Sequence, residues 1–294
     1  MRLRALAPGK INLCLFLGET RDDGRHRLVT LFQSVSLADE LTLSTVQPGP
    51  DAVVCSGVEE PNLVSRAIEG LRARGWDGPR VRIEIVKRIP VAAGMGGGSA
   101  DAACALRLAM ELAPGRPEEV AALAASLGAD VPSQLVPGVA LGTGAGELVE
   151  PFGPLEPHGV VIVPQAVALA TPEVYREADR LRLARGAADL DARYGELVAA
   201  LRPGARLPDS LLVNDLAPAA ESLCPAIADA LEAVRGSGAD HVLVCGSGPT
   251  VAGIFWGAEG AVRAATAAAS LAERFAGATS ATPVGVDFGM PVFA

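Results

Sequence analysis

Lysine is almost missing from this chain. Of its 25 basic residues only Lys10 and Lys87 are lysine, and the rest are arginine. A compact ammonium and a planar guanidinium are not interchangeable at a tight site. A lysine that persists in so arginine-rich a chain therefore marks a candidate functional position. Aromatic residues are scarce as well, at 4%, while half the residues are apolar, so the core has to be built from Ala, Val and Leu. That favours close packing of small-residue helices on aliphatic sheets. The three histidines, His26, His158 and His241, lie far apart, and no His/Cys metal cluster is visible in their spacing. The five cysteines, Cys14, Cys55, Cys104, Cys224 and Cys245, are odd in number and include no C-x-x-C pair. In a chain of this length that fits free thiols in a reducing cytoplasm rather than a disulfide framework. No apolar run reaches the roughly 18 residues of a membrane span. The N-terminus also has no apolar core followed by a small-residue cleavage site. A net charge of −9 with no basic stripe argues against a nucleic-acid partner. These absences predict a soluble, cytoplasmic protein with no membrane partner; a small-molecule substrate and a monomer or homodimer are further expectations that the absences do not themselves fix.

What is present reads as an α+β protein of one large or two ordinary domains, given 294 residues. Hydrophobic alternation predicts strands at 11–17, 28–37, 40–46, 81–86, 159–163, 241–245, 251–255 and 283–288, and a strand-like Gly/Val-rich region at 135–152. Helical spacing covers 62–75, with Asn62 as N-cap, then 100–112, 117–127, 172–184, 189–201, 217–235 and 258–275. Asn214 and Asp215 read as caps of the helix that follows them. Strands cluster at the start of each half rather than alternating with helices, which favours α+β over a doubly wound sheet. Pro151 and Pro154 mark a boundary between domains at 1–152 and 153–294.

The strongest local signal is Gly94-Met95-Gly96-Gly97-Gly98-Ser99, between a strand and a helix. Glycine permits positive φ and lets a ligand approach the backbone closely. The free N–H groups and dipole at the start of the next helix favour an anion. A phosphate cradle is the natural function, the alternative being a glycine turn without ligand. It is neither a P-loop, since no lysine follows, nor a dinucleotide G-x-G-x-x-G pattern, since the sixth residue is Ser99 or Asp101.

Pro90 with Gly94–Ala103 resembles the second sequence motif of the GHMP kinase superfamily, with Met95 where leucine is usual. Ala7-Pro8-Gly9-Lys10-Ile11-Asn12-Leu13 resembles the first motif and Val244-Cys245-Gly246-Ser247-Gly248-Pro249-Thr250 the third. All three occur in order across nearly the whole chain. Asp23-Gly24-Arg25-His26-Arg27-Leu28, Thr30-Leu31-Phe32-Gln33 and Leu127-Gly128-Ala129-Asp130-Val131-Pro132 are similar to the branch whose substrate is a methylerythritol carrying a cytidine diphosphate.

The resemblance implies a two-lobed α+β fold with ATP and substrate between the lobes. It also implies transfer of the ATP γ-phosphoryl group to the substrate 2-hydroxyl, in non-mevalonate isoprenoid synthesis. Asp130 matches the general base and Lys10 its partner cation. Pro90, Val91, Ala92, Ala93, Gly94, Met95, Gly96, Gly97, Gly98, Ser99 and Ala100 match the phosphate loop, and Asn62 and Lys87 match positions that approach the adenosine. Asn12, His26 and Tyr175 match substrate contacts, although on its own residues His26 reads as a solvated turn histidine and Tyr175 as a half-buried helix aromatic. Arg25 stands where tyrosine is usual, and a guanidinium can also stack on a base. Ser133 likewise replaces a frequent aromatic. Mg²⁺ is the implied metal, with Ser99 and Asp101 as candidate holders and no firm ligand set. The competing readings are a kinase for mevalonate, phosphomevalonate or homoserine, and a nucleotide-binding regulator that has lost catalysis. The His26 segment and the Asp130 motif argue against the first, and retention of both Lys10 and Asp130 against the second.

Overall fold

The computed structural model describes residues 1–46, 49–57 and 62–294. Its first feature is a long two-stranded ribbon. β1 (Arg2–Thr20) pairs antiparallel with β2 (His26–Thr45) along almost its full length. Sequence patterning places shorter strands here because the register shifts between Pro8 and Lys10 and again between Asn12 and Cys14. Bulges of this kind break strict alternation without ending a strand, and they accommodate a proline. β3 (Ala52–Cys55) follows, then α1 (Leu63–Ala73) and β4 (Val81–Val86). Asn62 caps α1 as expected, its Oδ1 accepting from the amides of Val64 and Ser65 at 2.9 and 3.1 Å. Next come α2 (Gly97–Leu112), α3 (Pro117–Leu127) and the short α4 (Val131–Leu135), then the hairpin β5 (Val139–Thr143) and β6 (Leu148–Phe152). The strand-like reading of 135–152 thus resolves into the end of a helical turn and a hairpin. The first sheet runs β3-β4-β2-β1, and β5 joins the free half of β2.

β7 (His158–Val163) opens the second sheet. It is followed by α5 (Thr171–Leu181), α6 (Ala187–Ala200), α7 (Ala217–Leu223), α8 (Ala226–Gly236), β8 (His241–Val244), β9 (Val251–Trp256), α9 (Gly260–Leu271), β10 (Thr279–Ala281) and β11 (Val292–Phe293). The helix expected at 217–235 is two helices, because Pro225 has no N–H to continue the ladder and α7 stops just before it. The strand expected at 283–288 is not there. β10 lies earlier and pairs with β7, while the stretch with Pro283 and Gly285 crosses between the sheets and tightens into a 3₁₀ turn at Val286–Gly289. The second sheet orders β10-β7-β9-β8, and β11 returns to the free edge of β1 in the first.

Three apolar layers hold this together. Val160 and Ile162 of β7 face a central layer shared with Ile11, Leu13, Leu31 and Val35 of the ribbon, while Val161 and Val163 face the second-lobe helices. β7 and β9 are buried on both faces, which is why each reads as a near-continuous apolar run. α1, α2 and α3 cover the outer face of the first sheet, with α2 contributing an Ala-rich stripe that is fully buried. Small side chains let that helix sit close, as the aromatic-poor composition demands.

Asn214 and Asp215 do not cap α7. Asn214 Nδ2 donates to the carbonyls of Val244 and Gly246 at 2.8 and 2.7 Å. Asp215 accepts from Leu17 N–H at 2.9 Å and from Nε and Nη2 along one edge of the Arg185 guanidinium at 2.5 and 2.7 Å. Together they stitch the segment before α7 to β1 and to the turn after β8. Replacing Asp215 by Ala leaves Leu17 N–H and Arg185 without this acceptor. The expected loss is about 1–3 kcal/mol, read in urea unfolding as a lower midpoint with an unchanged m-value.

Candidate active site

Between the lobes lies a cleft of about 480 Å³, walled by β1, β2, the glycine loop, α5 and the turn after β8. Its geometry starts with backbone conformation. Gly94 and Gly96 have φ of +75° and +66°, and Gly96 is the N-cap of α2. A Cβ on Gly94 would lie 2.3 Å from the Cys245 carbonyl oxygen, so the second glycine-rich turn packs directly on the first and only glycine fits. Gly97 and Gly98 form the first turn of α2 and line the cleft with Ser99. Their amides are among those a helix start leaves without intrahelical partners, and they suit an anion.

Lys10 enters this site from the bulged middle of β1. Its Nζ is buried and lies 2.8 Å from Asn12 Oδ1, 3.0 Å from the Gly94 carbonyl oxygen and 3.2 Å from Asp130 Oδ2. Asn12 is oriented in turn, its Nδ2 donating to Thr30 Oγ1 at 2.7 Å, while Thr30 donates to the Cys14 carbonyl. Asp130, at the start of α4, keeps one third of its side chain exposed to the cleft. A partly wet carboxylate held beside a buried ammonium, next to a phosphate cradle, can accept a proton from a hydroxyl while the cation balances charge.

Lys87 has a different setting. It sits 2.7 Å from Asp101 and 2.5 Å from Asp39, and Asp39 also accepts from the amides of Arg88 and Ile89. This cluster clamps the start of the loop to β2 and α2. Burial opposes the charge on Lys87, but the two carboxylates outweigh it and hold its pKa above the ordinary value. One ammonium cannot satisfy two buried carboxylates. Burial therefore pushes Asp101 up to about 7, with Lys87 pulling it down and Asp39 adding to the rise. Asp101 Oδ1 is buried without a partner among the described residues. With an ammonium on its other oxygen, Asp101 is a poor direct ligand for Mg²⁺. Among the described residues no group of three or more His, Cys, Asp or Glu could hold a metal.

The remaining expected residues divide. Pro90, Val91, Ala92, Ala93, Asn62 and Tyr175 line the cleft. Met95 and Ala100 do not: both are buried in the core, Met95 anchoring the loop from beneath while its carbonyl accepts from Lys10 N–H at 2.9 Å. His26 is not a solvated turn residue. It is buried, with Nδ1 donating to the Gly18 carbonyl at 2.9 Å, Nε2 3.1 Å from Asp179, and its ring 5.4 Å from that of Tyr175. It supports Tyr175 from behind the wall, and burial holds the Tyr175 phenol above its usual pKa. Arg25 is exposed in the turn before β2 and does not line the cleft. Ser133 is buried and donates to the Asp130 carbonyl at 2.9 Å, so it steadies the Asp130 turn and does not line the cleft. Sequence reasoning missed Phe32, Thr171 and Ser247 as cleft residues. Phe32 shares the face of β2 with Thr30, a period-2 signal that the bulged ribbon obscured.

Residues 62–138 match the GHMP kinases N terminal domain and residues 197–275 the GHMP kinases C terminal domain. The chain belongs to the GHMP kinase family. It is similar to the 4-diphosphocytidyl-2-C-methyl-D-erythritol kinase of Salinispora tropica, with 41% identity over 92% of this chain and 88% of that one. The enzyme of the same name from Streptomyces coelicolor is 41% identical over 86% of this chain and 87% of its own length. A crystal structure of 4-(cytidine 5'-diphospho)-2C-methyl-D-erythritol kinase superimposes with a TM-score of 0.74 at 34% identity, covering 96% of this chain and 99% of that one. A homoserine kinase from Cytophaga hutchinsonii shares the fold, with a TM-score of 0.71 at 18% identity, over 99% of this chain and 97% of its own.

The raised Asp101 has a thermodynamic consequence. Between the ordinary value of 3.8 and about 7 the folded chain holds a proton on Asp101 that the unfolded chain releases. Stability therefore falls as pH rises through that window. In Asp101→Asn this contribution disappears, so urea midpoints measured from pH 4 to 7.5 should show a shallower decline than in the parent.

Proposed function

We propose that this kinase transfers the γ-phosphoryl group of ATP to the 2-hydroxyl of 4-diphosphocytidyl-2-C-methyl-D-erythritol. The observation that carries the reading is the Lys10–Asp130 pair, 3.2 Å apart beside the glycine loop. The identity of about 41% to relatives that bear that enzyme's name supports the substrate. Asp130 accepts the hydroxyl proton as attack begins, and Lys10 orients the carboxylate and stabilises charge on the attacking oxygen. The amides of Gly97, Gly98 and Ser99 hold the phosphates. Phosphoryl transfer needs mainly positioning and charge neutralisation, so no covalent intermediate is required. Asn12, held by Thr30, contacts the polyol, and Tyr175 offers its face to the cytosine with His26 behind it. Arg25 lies in the exposed turn before β2, outside the cleft lining, so its contact with the cytidine diphosphate rests on the resemblance alone. Asn62 and Lys87 flank the adenosine side.

Mg²⁺ would arrive with ATP and supply neutralisation of phosphate charge, and Ser99, which lines the cleft in the first turn of α2, would meet its hydration shell. Division into lobes at 1–152 and 153–294, with the tail crossing back, belongs to the same reading.

Phosphorus NMR with ATP, Mg²⁺ and the cytidine-diphosphate polyol tests it. A new phosphomonoester signal with ADP is expected. Asp130→Asn should lower kcat by about 10²–10⁴-fold, the usual worth of a positioned acid–base group, with little change in ATP binding. Unchanged turnover in that variant, or no product with the parent, overturns the assignment.

A further inference from the structure

The nearest acceptor of the Lys10 ammonium is an amide, and an amide can sit either way round. Its two ends have similar shape and opposite polarity, one a bare oxygen and the other an NH₂ group. Only one orientation of Asn12 serves the cation, with Oδ1 toward Lys10 Nζ at 2.8 Å. The reversed amide would aim N–H groups at an ammonium. Packing restrains the amide but does not choose between its ends. A Cβ on Gly246 would lie 3.1 Å from both Asn12 Oδ1 and Lys10 Nζ, so the group has no room to swing aside. Two ends of similar size fill that space equally well. The choice has to come from a neighbour whose own donor sense is fixed.

Thr30 has that property. A hydroxyl carries a single proton, and that of Thr30 goes to the Cys14 carbonyl at 2.7 Å. Toward Asn12 its oxygen is left as an acceptor, and Asn12 Nδ2 donates to it at 2.7 Å. Each bond in the series therefore sets the direction of the next: Cys14 carbonyl, Thr30, Asn12, Lys10 and, 3.2 Å further on, Asp130 Oδ2. Thr30 is 1% and Asn12 2% exposed, so water is a poor substitute for either partner. The backbone is shaped for this. In an unbroken ladder Asn12 and Cys14 would oppose residues two apart on β2, but they oppose the neighbours Phe32 and Leu31. A bulge of this kind re-aims a side chain, and here one hydroxyl reaches both the Cys14 carbonyl and the Asn12 amide.

We propose that Thr30 is a positioning residue for phosphoryl transfer: its hydroxyl sets which end of the Asn12 amide faces Lys10, and so holds the ammonium beside Asp130. The inference rests on the reading of Lys10 and Asp130 given above. Nothing in the local pattern distinguishes this residue, because threonine is at home in any strand. Thr30→Val keeps the shape and removes both the acceptor for Asn12 and the donor for Cys14. The Asn12 NH₂ then has no partner at position 30, the amide loses its preferred sense, and Lys10 loses its nearest acceptor. Thr30→Ser keeps the hydroxyl.

Two measurements on the full chain test this. The first is steady-state kinetics with ATP, Mg²⁺ and the cytidine-diphosphate polyol. Thr30→Val should lower kcat about tenfold or more with KM for ATP within about twofold of the parent, and Thr30→Ser should recover most of the loss. When Asp130→Asn has already removed the group being served, adding Thr30→Val should cost less than about threefold, because residues acting as a unit are not additive. The full loss in both backgrounds, or an undiminished kcat in folded Thr30→Val, overturns the proposal. The second measurement needs no turnover. With only two lysines in the chain, ¹³Cε-lysine labelling gives two side-chain signals, assigned with Lys87→Arg. The Lys10 signal should move in Thr30→Val and stay near its parent position in Thr30→Ser, with Lys87 unmoved in both. A Lys10 signal unmoved in Thr30→Val overturns the proposal. If the parent turns over none of this substrate, the reading of function fails while the lysine signals still decide the role of Thr30. Should Thr30→Val not fold, Thr30→Cys, whose thiol is weak as donor and acceptor, takes its place with the same expectations.

Discussion

The ammonium of Lys10 is the point on which the site is built. Burying a charge is costly unless acceptors surround it, and here three do: Asn12 on its own strand, the Gly94 carbonyl in the loop and Asp130 at the start of α4. Two of those partners, Gly94 and Asp130, lie more than eighty residues further along the chain than Lys10, so the folded chain cannot satisfy the charge without assembling the site. The glycines follow from the same contact. A Cβ on Gly96 or on Gly246 would lie 3.1 Å from the Lys10 side chain. There is no room for added bulk around this group, and a broad guanidinium would demand more space than an ammonium takes. That explains why arginine has not replaced it, as it has nearly everywhere else in the chain.

Lys87 shows that the same scarcity carries two meanings. It too is held by acceptors, here two carboxylates of which Asp39 also fixes the backbone at Arg88 and Ile89, and its ammonium is taken up by Asp39 and Asp101. Counting lysines located both of these cations and could not assign their jobs. The difference lies in the partners, Asp130 being partly wet and Asp39 fully buried.

Much of the site was legible because its motifs are local: the glycine loop, the Lys10 segment and the Asp130 turn each place their own backbone. What the chain order hides is depth. Met95 and Ala100 fall inside the loop motif, yet helix and turn geometry send their side chains into the core. His26 sits beside an exposed turn in sequence, but the ribbon carries it under α5, where Tyr175 and Asp179 cover it. Among the elements, strands β7 and β9 stand out from their apolar runs, whereas the continuity of β1 and β2 was hidden by bulges that reset the alternation. The tail was misread for a related reason. Its apolar residues serve a crossing between two sheets, and a crossing has no periodicity.

An acidic protein that binds polyphosphate has to find its attraction locally. Among the described residues, the Lys, Arg, Asp and Glu side chains lining the cleft are Lys10, Lys87, Asp101 and Asp130, and they form two opposed pairs. Asp39 adds a further carboxylate behind the wall. Side-chain charge therefore gives no net pull on an anion, and the chain as a whole, at −9, resists one. What remains is the backbone: the unpaired amides at the start of α2 and the dipole behind them. These act at close range and only on a group that reaches the loop itself. The positive φ at Gly94 and Gly96 is what aims those amides at the cleft. Fixed dipoles of this kind need no mobile cation, and the Lys10 ammonium is already engaged by Asn12, the Gly94 carbonyl and Asp130.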